Sequence, residues 1–321
     1  MSDSHAAPGP RVQPRRAVTA QMVAVVVIWG VNFSVSKWSL RQFPPLGFTA
    51  LRFVIASIVL LAVLRWREGR IRPPAGATWP LARLGLIGNS IYQIAFIIGL
   101  SRTTATNSAL ILASMPALVA ALGAALGIER LRRRAAQGLA LATLGVVLVV
   151  VARGVSFSAG TAAGDLVTVL AVACWAAFTL GVRQLKFSMS PLAITCWTMV
   201  LGTPVLIAAG LPSLLQTDWR AITLAGWGGL GFASVMSLVV AYLLWNASVR
   251  TVGSNRTAVY ACATPLVAMA TAALMLGERP AALQLAGAGA IVIGVLLSQR
   301  VGTELPPAAR PDAPSPAGGG E

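Results

Sequence analysis

Charged residues are scarce in this 321-residue chain, and their scarcity decides its class. Only 11% of the residues are charged, whereas 56% are hydrophobic. A soluble domain carries about 25% charged residues, so the composition excludes a soluble globular protein and calls for lipid. The alternating pattern of membrane-barrel strands is also missing, which leaves helices as the elements that can cross the bilayer. We therefore predict an all-α integral membrane protein.

Histidine and buried acidic residues are also missing. The one histidine is His5, near the N-terminus, and all nine acidic residues are predicted to lie in tails, loops or helix ends. Proton-coupled pumps usually place Asp, Glu or His in the membrane pathway, and no nucleotide-binding P-loop is found. The sequence therefore predicts no enzyme, no cofactor and no metal site. It favours a facilitator or exchanger that runs on the gradient of its own substrate.

Cysteines are few, and their positions exclude a disulfide framework. Cys174, Cys196 and Cys262 all fall inside apolar runs, where they are interpreted as small buried filler. No cleavable signal peptide is found, because the first apolar stretch continues through Asn32 without a convincing cleavage site. Residues 1–17 and 299–321 are predicted to be disordered cytoplasmic tails, since their composition cannot bury a core.

Ten apolar runs make up most of the chain. Each is close to the roughly 20 residues that a helix needs to cross the hydrocarbon. The predicted spans are 18–38, 46–64, 82–100, 104–127, 136–152, 166–185, 191–210, 224–246, 256–276 and 282–298.

The basic residues follow these spans instead of forming one face. With the N-terminus inside, 18 Lys and Arg residues fall in inside segments and 6 in outside segments. This bias predicts that both termini are cytoplasmic. It also argues against nucleic acid as the partner that the net charge of +16 could suggest.

The last third of the chain repeats its middle, 149 residues later, and the first helices correspond at an offset of 146 residues. The repeat unit is five helices, 18–152 and 166–298. Because five is odd, the two copies enter the membrane from opposite sides, so the repeat is inverted. Two equivalent halves can exchange conformations, which favours a carrier that works by alternating access. The matched pairs are Trp29/Trp175, Lys37/Arg183, Pro45/Pro191, Pro116/Pro265, Glu129/Glu278, Arg130/Arg279, Gly138/Gly287 and Gly145/Gly294.

Several motifs resemble those of EamA-type members of the drug/metabolite transporter superfamily. The strongest runs from Ala258 through Pro265 to Leu276-Gly277-Glu278-Arg279. Its copy in the first half reads Gly127-Ile128-Glu129, where the family usually has Leu-Gly-Glu. The other matching motifs are Trp29-Gly30-Val31-Asn32-Phe33 followed by Lys37, and Pro44-Pro45 leading to Leu51-Arg52-Phe53.

The resemblance implies a ten-helix carrier of the bacterial inner membrane. Members of this family commonly export amino acids or other small metabolites. Neighbouring branches of the superfamily move sugars, nucleotide sugars, cations or drugs, so a sugar, nucleotide-sugar or lipid-linked sugar remains the alternative cargo. The expected partners are a small-molecule substrate and the lipid bilayer, with the chain a monomer or a homodimer.

Polar and aromatic residues inside the spans are the candidates for a substrate site. Polar groups in a membrane are costly, so they tend to line cavities or to pair with one another. A spacing of four is expected to place Asn89 and Gln93 on one helix face, and likewise Tyr242 and Asn246 in the counterpart helix. The alternative is that these groups only hold the bundle together through interhelical hydrogen bonds. The candidates are Trp29, Asn32, Asn89, Tyr92, Gln93, Asn107, Trp175, Thr179, Tyr242, Asn246 and Tyr260.

Two of these candidates are tryptophans at matched positions near the middle of their helices. Trp29 and Trp175 are not explained by the interfacial belt in which most membrane tryptophans lie. Aromatic walls would suit an apolar or aromatic metabolite, or a cation over a ring face. Bulk packing is the other interpretation.

Two matched prolines lie near the middle of predicted helices four and nine. Pro116 and Pro265 either form hinges that border the site or only curve the bundle. The glycine pair Gly138 and Gly145, seven residues apart, is interpreted as tight packing within one monomer, with a dimer contact as the alternative.

Two charged features remain open. Glu129 and Glu278 are each expected to cap the helix that follows, next to Arg130 or Arg279, although a gating salt bridge is the alternative. Arg52 lies about 9 Å into helix two at 1.5 Å per residue. It could extend to the outer surface, or it could hold a substrate carboxylate.

Overall fold

The computed structural model describes residues 15–69, 72–127, 133–152, 159–252, 260 and 263–299. Throughout these ranges the chain forms helices and short connections, with no strand. The helices are α1 (Arg15–Ser39), α2 (Pro45–Glu68), α3 (Thr78–Gly85), α4 (Tyr92–Arg102), α5 (Ala105–Ala113), α6 (Met115–Ala125), α7 (Arg133–Val151), α8 (Ala159–Arg183), α9 (Pro191–Leu215), α10 (Leu224–Gly231), α11 (Ala241–Val252), α12 (Thr264–Leu276) and α13 (Ala282–Gln299), with a 3₁₀ turn at Trp219–Ala221.

Local sequence signals explain where several helices begin and end. Pro191 occupies the first turn of α9, and the hydroxyl of Ser190 before it accepts a hydrogen bond from the Ala193 N–H at 3.0 Å. Helix α2 also begins at a proline and ends at Gly69, whose φ of 68° lies in the left-handed region that favours glycine. These signals agree with the predicted spans to within a few residues.

Two long helices contain π-helical segments. Leu86–Ile91 joins α3 to α4, and Phe232–Val240 joins α10 to α11. Their starts are 146 residues apart and their ends 149, the two offsets seen in the sequence repeat. A π-helix is rare and occurs mostly at functional sites.

Seven helical stretches of the described chain are long and apolar enough to cross a membrane. Three shorter apolar helices accompany them, at 136–149, 264–276 and 282–297. Together the ten stretches fall on the ten predicted spans. Their composition is that of a multi-pass membrane protein.

One acidic residue contradicts the sequence-based expectation. Helix α8 begins at Ala159, before the predicted start at 166, so Asp165 lies inside the candidate span Thr161–Val182 and is buried. The prediction that all acidic residues lie in tails, loops or helix ends is therefore wrong. Two neighbouring side chains donate hydrogen bonds to the Asp165 carboxylate, as described below.

The helices pack in pairs across the two predicted halves. Helix α2 packs on α9, α7 on α13, and α4 on α8, while α1 contacts both α11 and α12. Helices α7 and α13 approach each other closely where glycines face each other. A Cβ built on Gly145 would lie 2.7 Å from the Gly287 oxygen, and one on Gly294 would lie 2.5 Å from the Gly138 oxygen. All four glycines are thus used within one chain.

Candidate functional site

Four aromatic side chains from four helical stretches meet inside the bundle. The ring of Trp175 lies 4.9 Å from that of Tyr92 and 6.4 Å from that of Tyr242. The ring of Trp29 lies 5.9 Å from Tyr242 in an edge-on arrangement. We call these four residues the aromatic site. All four are candidates predicted from the sequence, and the structure brings them together.

The π-helices set the position of both tyrosines. Tyr92 directly follows the segment Leu86–Ile91, and a single residue separates Tyr242 from the segment Phe232–Val240. Within the second segment, the Ser237 carbonyl accepts a hydrogen bond from the indole N–H of Trp29 at 3.2 Å. This bond joins α1 to the second π-helix.

Further rings extend the aromatic site in both directions. Trp245 lies 5.2 Å from Trp29, and Phe178 lies 5.2 Å from Trp175. Phe96 stacks on Tyr92 at 6.1 Å and meets Phe33 edge-on at 5.8 Å. The result is a continuous band of rings through the bundle, which offers an apolar and polarisable wall to a ligand.

Arg52 is a buried charged group beside this wall. Its guanidinium lies 5.5 Å from the centre of the Phe48 ring, one turn earlier in α2, and Phe48 belongs to the same buried cluster as Tyr92. The side chain is only 1% exposed. It does not extend to the outer surface, so that alternative from the sequence is wrong.

The polar groups of this region lack partners. Nε and Nη1 of Arg52 are buried without a hydrogen bond, as is the side-chain oxygen of Gln93. Buried polar groups are almost always paired, so these unpaired atoms call for an explanation.

Three other predicted site residues form hydrogen bonds that do not involve the side chains of the aromatic site. The Asn32 side chain accepts a long hydrogen bond of 3.4 Å from Ser36 in its own helix, and the Thr179 hydroxyl donates to the Trp175 carbonyl. The Tyr260 hydroxyl lies 3.3 Å from that of Thr19 at an exposed position. The side chain of Asn246 lies outside the described residues.

Asn89 lies within the first π-helix, and Gln93 lies in α4 just after it. The Asn89 Cβ is 3.1 Å from the position of a Cβ on Gly202, so Asn89 packs against α9. Gln93 is buried as well, and its side-chain oxygen has no hydrogen-bond partner. The shared face of the two residues stays a prediction.

A second polar cluster joins several helix ends. The Asp165 carboxylate accepts hydrogen bonds from the Thr103 hydroxyl at 2.5 Å and from the Asn107 amide at 3.0 Å. The amide of Gln284, at the start of α13, donates to the Asn107 side-chain oxygen. The Glu278 carboxylate accepts from the Ala105 and Thr106 backbone N–H groups at 2.9 and 3.0 Å. We call Thr103, Asn107, Asp165, Glu278 and Gln284 the Asp165–Glu278 network.

Glu278 therefore caps a different helix from the one expected. The sequence suggested that it caps the helix that follows it, whereas its carboxylate sits at the N-terminus of α5, 172 or more residues earlier in the chain. The positive end of the α5 dipole explains why a carboxylate is stable there. The matching position, Glu129, lies outside the described residues.

Lys37 reinforces the same corner of the molecule. Its ammonium donates to the carbonyls of Leu100, Ser101 and Thr103, at 2.6, 3.0 and 2.6 Å. These carbonyls end α4, where a cation is favoured by the helix dipole. A pocket of about 260 Å³ opens beside them, lined by Lys37, Leu40, Arg41, Ser101, Leu276 and Glu278.

Sequence reasoning missed most of this network. Asn107 is among the predicted candidates, but Asp165 was expected at a helix end or in a loop, and Gln284 was not singled out. The polar group Thr103, Thr104 and Asn107 lies between two apolar helices. Such a group requires partners from other helices, which is the signal that could have indicated the network.

The prolines start new helical segments and do not bend continuous ones. Helix α5 ends at Ala113, Ser114 forms a turn, and Pro116 lies in the first turn of α6. At Ala263 an equivalent turn precedes Pro265 in the first turn of α12. Backbone hydrogen bonds at the two turns match at an offset of 149 residues, from Ala117 to Ser114 and from Leu266 to Ala263.

Comparisons with known proteins identify sequences similar to this chain. The sequence model described as "EamA-like transporter family" matches residues 18–151 and again residues 162–299. The chain is 27% identical over 281 residues to "Uncharacterized transporter YyaM" of Bacillus subtilis, covering 86% of this chain and 91% of that protein. It is 28% identical over 288 residues to a "Probable amino-acid metabolite efflux pump" of Salmonella typhimurium, covering 85% and 92%.

A third relative and one solved structure complete the comparison. The chain is 25% identical over 281 residues to a "Probable terminal-alkyne amino-acid exporter" of Streptantibioticus cattleyicolor, covering 87% and 92%. A crystal structure matches at 19% identity with a TM-score of 0.62, covering 90% of this chain and all of the other. At that identity the match speaks for the fold alone.

Proposed function

Since the chain belongs to the EamA-like transporter family, we propose that it is a bacterial inner-membrane carrier that exports small metabolites by alternating access. Amino acids or related compounds are the proposed cargo, because two similar proteins are named as an amino-acid metabolite efflux pump and an amino-acid exporter. The observation that carries the proposal is the aromatic site. Trp29 and Tyr92 come from the first predicted half, and Trp175 and Tyr242 come from the second.

We further propose ten membrane helices arranged as two inverted five-helix repeats, 18–152 and 166–298. The contacts between α7 and α13 support this arrangement. Gly145 meets Gly287 and Gly138 meets Gly294. Shifting each glycine by the 149-residue offset turns one pair into the other, as a twofold axis between the halves requires. The family model also matches the chain twice, over ranges close to these two.

Alternating access requires a closed end and an end that can open. The Asp165–Glu278 network is the proposed closure at one end, because it ties α5, α8, α13 and the residues after α12 into one corner. With both termini in the cytoplasm, this corner is on the outer side. Opening it would separate Glu278 from the N-terminus of α5.

The argument for a carrier that is independent of protons no longer holds. It depended on the absence of acidic residues from the spans, and Asp165 is buried inside one. Uptake into proteoliposomes with and without an imposed pH gradient measures the coupling directly.

A ligand-induced thermal-shift screen of the purified protein tests the proposed cargo. Amino acids, sugars, nucleotides and cationic drugs are compared at equal concentration. A ligand that binds only the folded protein raises its unfolding temperature, so we expect stabilisation by amino acids or their close relatives. Stabilisation confined to sugars or nucleotides would overturn the proposed cargo and leave the carrier assignment in place.

A further inference from the structure

We propose that Arg52 holds the carboxylate of the substrate, so that this carrier takes organic carboxylates with an apolar or aromatic body and does not need an ammonium group on them. The inference rests on the proposed function, because it assigns the chemistry of the same aromatic site. Its starting point is a buried cation without a partner in the ligand-free protein.

An arginine in this state is energetically unfavourable by itself. The guanidinium is effectively always charged, and an unpaired charge inside a protein is strongly destabilising. Arg52 is 1% exposed, and its Nε and Nη1 have no hydrogen-bond partner. The Phe48 ring beside it contributes a modest attraction, with 5.5 Å between the guanidinium carbon and the ring centre. An anion is needed to accept hydrogen bonds from the N–H groups of the guanidinium.

No acidic side chain of the described residues supplies that anion. Asp165 is held by Thr103 and Asn107, and Glu278 caps α5. Glu68 accepts a hydrogen bond from Ser190 at the exposed end of α2, and Asp218 caps the exposed 3₁₀ turn. A carboxylate brought by the ligand would complete the site, because its two oxygens match the planar guanidinium.

The surroundings of Arg52 define the rest of the ligand. Phe48, whose ring lies next to the guanidinium, belongs to the same buried cluster as Tyr92, and Trp175 packs against that cluster. A tyrosine hydroxyl such as that of Tyr92 can donate to a carboxylate oxygen. The rings of Trp29 and Trp175, which contact Tyr242 and Tyr92 respectively, suit an apolar or aromatic body.

The aromatic site offers rings but no carboxylate to a positive group, because the four acidic residues of the described chain lie elsewhere. Binding should therefore not require an ammonium on the ligand. This distinguishes the inference from general recognition of amino acids. It predicts that a simple carboxylic acid with the same side chain binds at least as well as the amino acid.

Three probes that share a phenyl body distinguish recognition of the carboxylate from recognition of the ammonium, using the purified full-length protein. They are 3-phenylpropionate, which has only the carboxylate, phenylalanine, which has both groups, and phenylalaninamide, which has only the ammonium. Dissociation constants are measured by tryptophan fluorescence and checked by thermal shift. We expect 3-phenylpropionate to bind at least as tightly as phenylalanine, and phenylalaninamide to bind at least about tenfold more weakly than either. Equal or tighter binding of phenylalaninamide, or tenfold weaker binding of 3-phenylpropionate than of phenylalanine, would overturn the inference.

Substitution of Arg52 adds a readout that a merely structural arginine would not give. Arg52→Met removes an unpaired buried charge, so the ligand-free protein should unfold at a higher temperature while its affinity for 3-phenylpropionate falls about 10- to 100-fold. Arg52→Lys keeps the charge but loses the planar fork, and the affinity should fall by about tenfold. Arg67→Met, at an exposed position of the same helix, is the matched control and should bind like the wild type.

A structural arginine predicts the reverse pattern, with Arg52→Met unfolding at a lower temperature and binding 3-phenylpropionate normally. If the methionine variant does not fold, the three probes on the wild-type protein still decide. Transport of an amine or sugar without binding of either carboxylate would reject this inference alone. Absence of binding and transport for every class of probe would reject the proposed function itself.

Discussion

At the scale of single residues, two buried charges distinguish this molecule from an apolar bundle. Arg52 stands without a partner beside the aromatic site, whereas Asp165 is held by the hydroxyl of Thr103 and the amide of Asn107. The sequence showed both residues but not their burial. Counting along a helix gives the depth of a side chain, whereas burial depends on which helices pack around it. We propose different roles for the two charges: Arg52 binds the ligand, and Asp165 stabilises a closed corner.

Replacing Asp165 tests its role in that corner. Asp165→Asn removes one acceptor oxygen and introduces a donor opposite the donors of Thr103 and Asn107. We expect a loss of about 1–3 kcal/mol, seen as an unfolding temperature lower by about 2–6 °C. The labelling rate of a cysteine introduced by Ser101→Cys, beside the corner, should rise as the closed state loses stability.

Asp218→Asn is the control for this substitution, because Asp218 is exposed and caps only a 3₁₀ turn. It should change the labelling rate at position 101 very little. Unchanged stability and unchanged labelling in Asp165→Asn would show that the network does not hold this end closed.

At the scale of helices, the two halves carry their irregularities at matching places. The π-helices begin at Leu86 and Phe232, and the turns before the prolines lie at Ser114 and Ala263. Length and hydropathy predicted the helices well, because both are set by the thickness of the bilayer. They could not predict the π-helices, since a change from i→i+4 to i→i+5 pairing leaves no clear mark in residue type. The shared face of Asn89 and Gln93 and the substrate role of Tyr92 and Tyr242 stay predictions.

The glycine contact between α7 and α13 can be tested with alanine substitutions at two nearby positions, which should change the stability in opposite directions. A Cβ on Gly287 would lie 2.8 Å from the Gly145 oxygen, whereas one on Gly289 meets nothing within 4 Å. Gly289→Ala should stabilise the helix by about 0.5–1 kcal/mol. Gly287→Ala should instead lower the unfolding temperature, because the two backbones must move apart.

Unfolding temperatures of the two variants, measured in the same detergent, provide the comparison. If Gly287→Ala proves as stable as Gly289→Ala, then α7 and α13 do not approach as closely as described.

At the scale of the whole molecule, the sequence repeat and the packing support the same arrangement. Helix α4 of the first half contacts α8 of the second, and α11 of the second contacts α1 of the first. A twofold relation between halves produces such exchanged contacts. The repeat is predicted from matched Pro, Glu and Gly residues in an apolar background. It could not predict the Asp165–Glu278 network, since that network depends on side chains from separate spans meeting at one corner.

The orientation of the chain is a separate prediction at this scale. Basic residues favour segments on the side of both termini, so both ends should be cytoplasmic. A green fluorescent protein fused to either terminus should fluoresce, and alkaline phosphatase fused to either terminus should be inactive. Active phosphatase at one end only would require an odd number of crossings and would contradict the inverted repeat.

The most direct test of the central claim is counterflow in proteoliposomes. Vesicles are loaded with an unlabelled amino acid, and uptake of the labelled form is followed for the wild type, Trp175→Leu and Trp219→Leu. The wild type should accumulate label well above protein-free vesicles, and Trp175→Leu should reduce the uptake by about tenfold because it removes the ring that joins Tyr92 to Tyr242. Trp219→Leu, outside the aromatic site, should transport normally. Absence of uptake for leucine, phenylalanine and methionine alike, or normal uptake by Trp175→Leu, would contradict a carrier whose substrate site lies between the two halves.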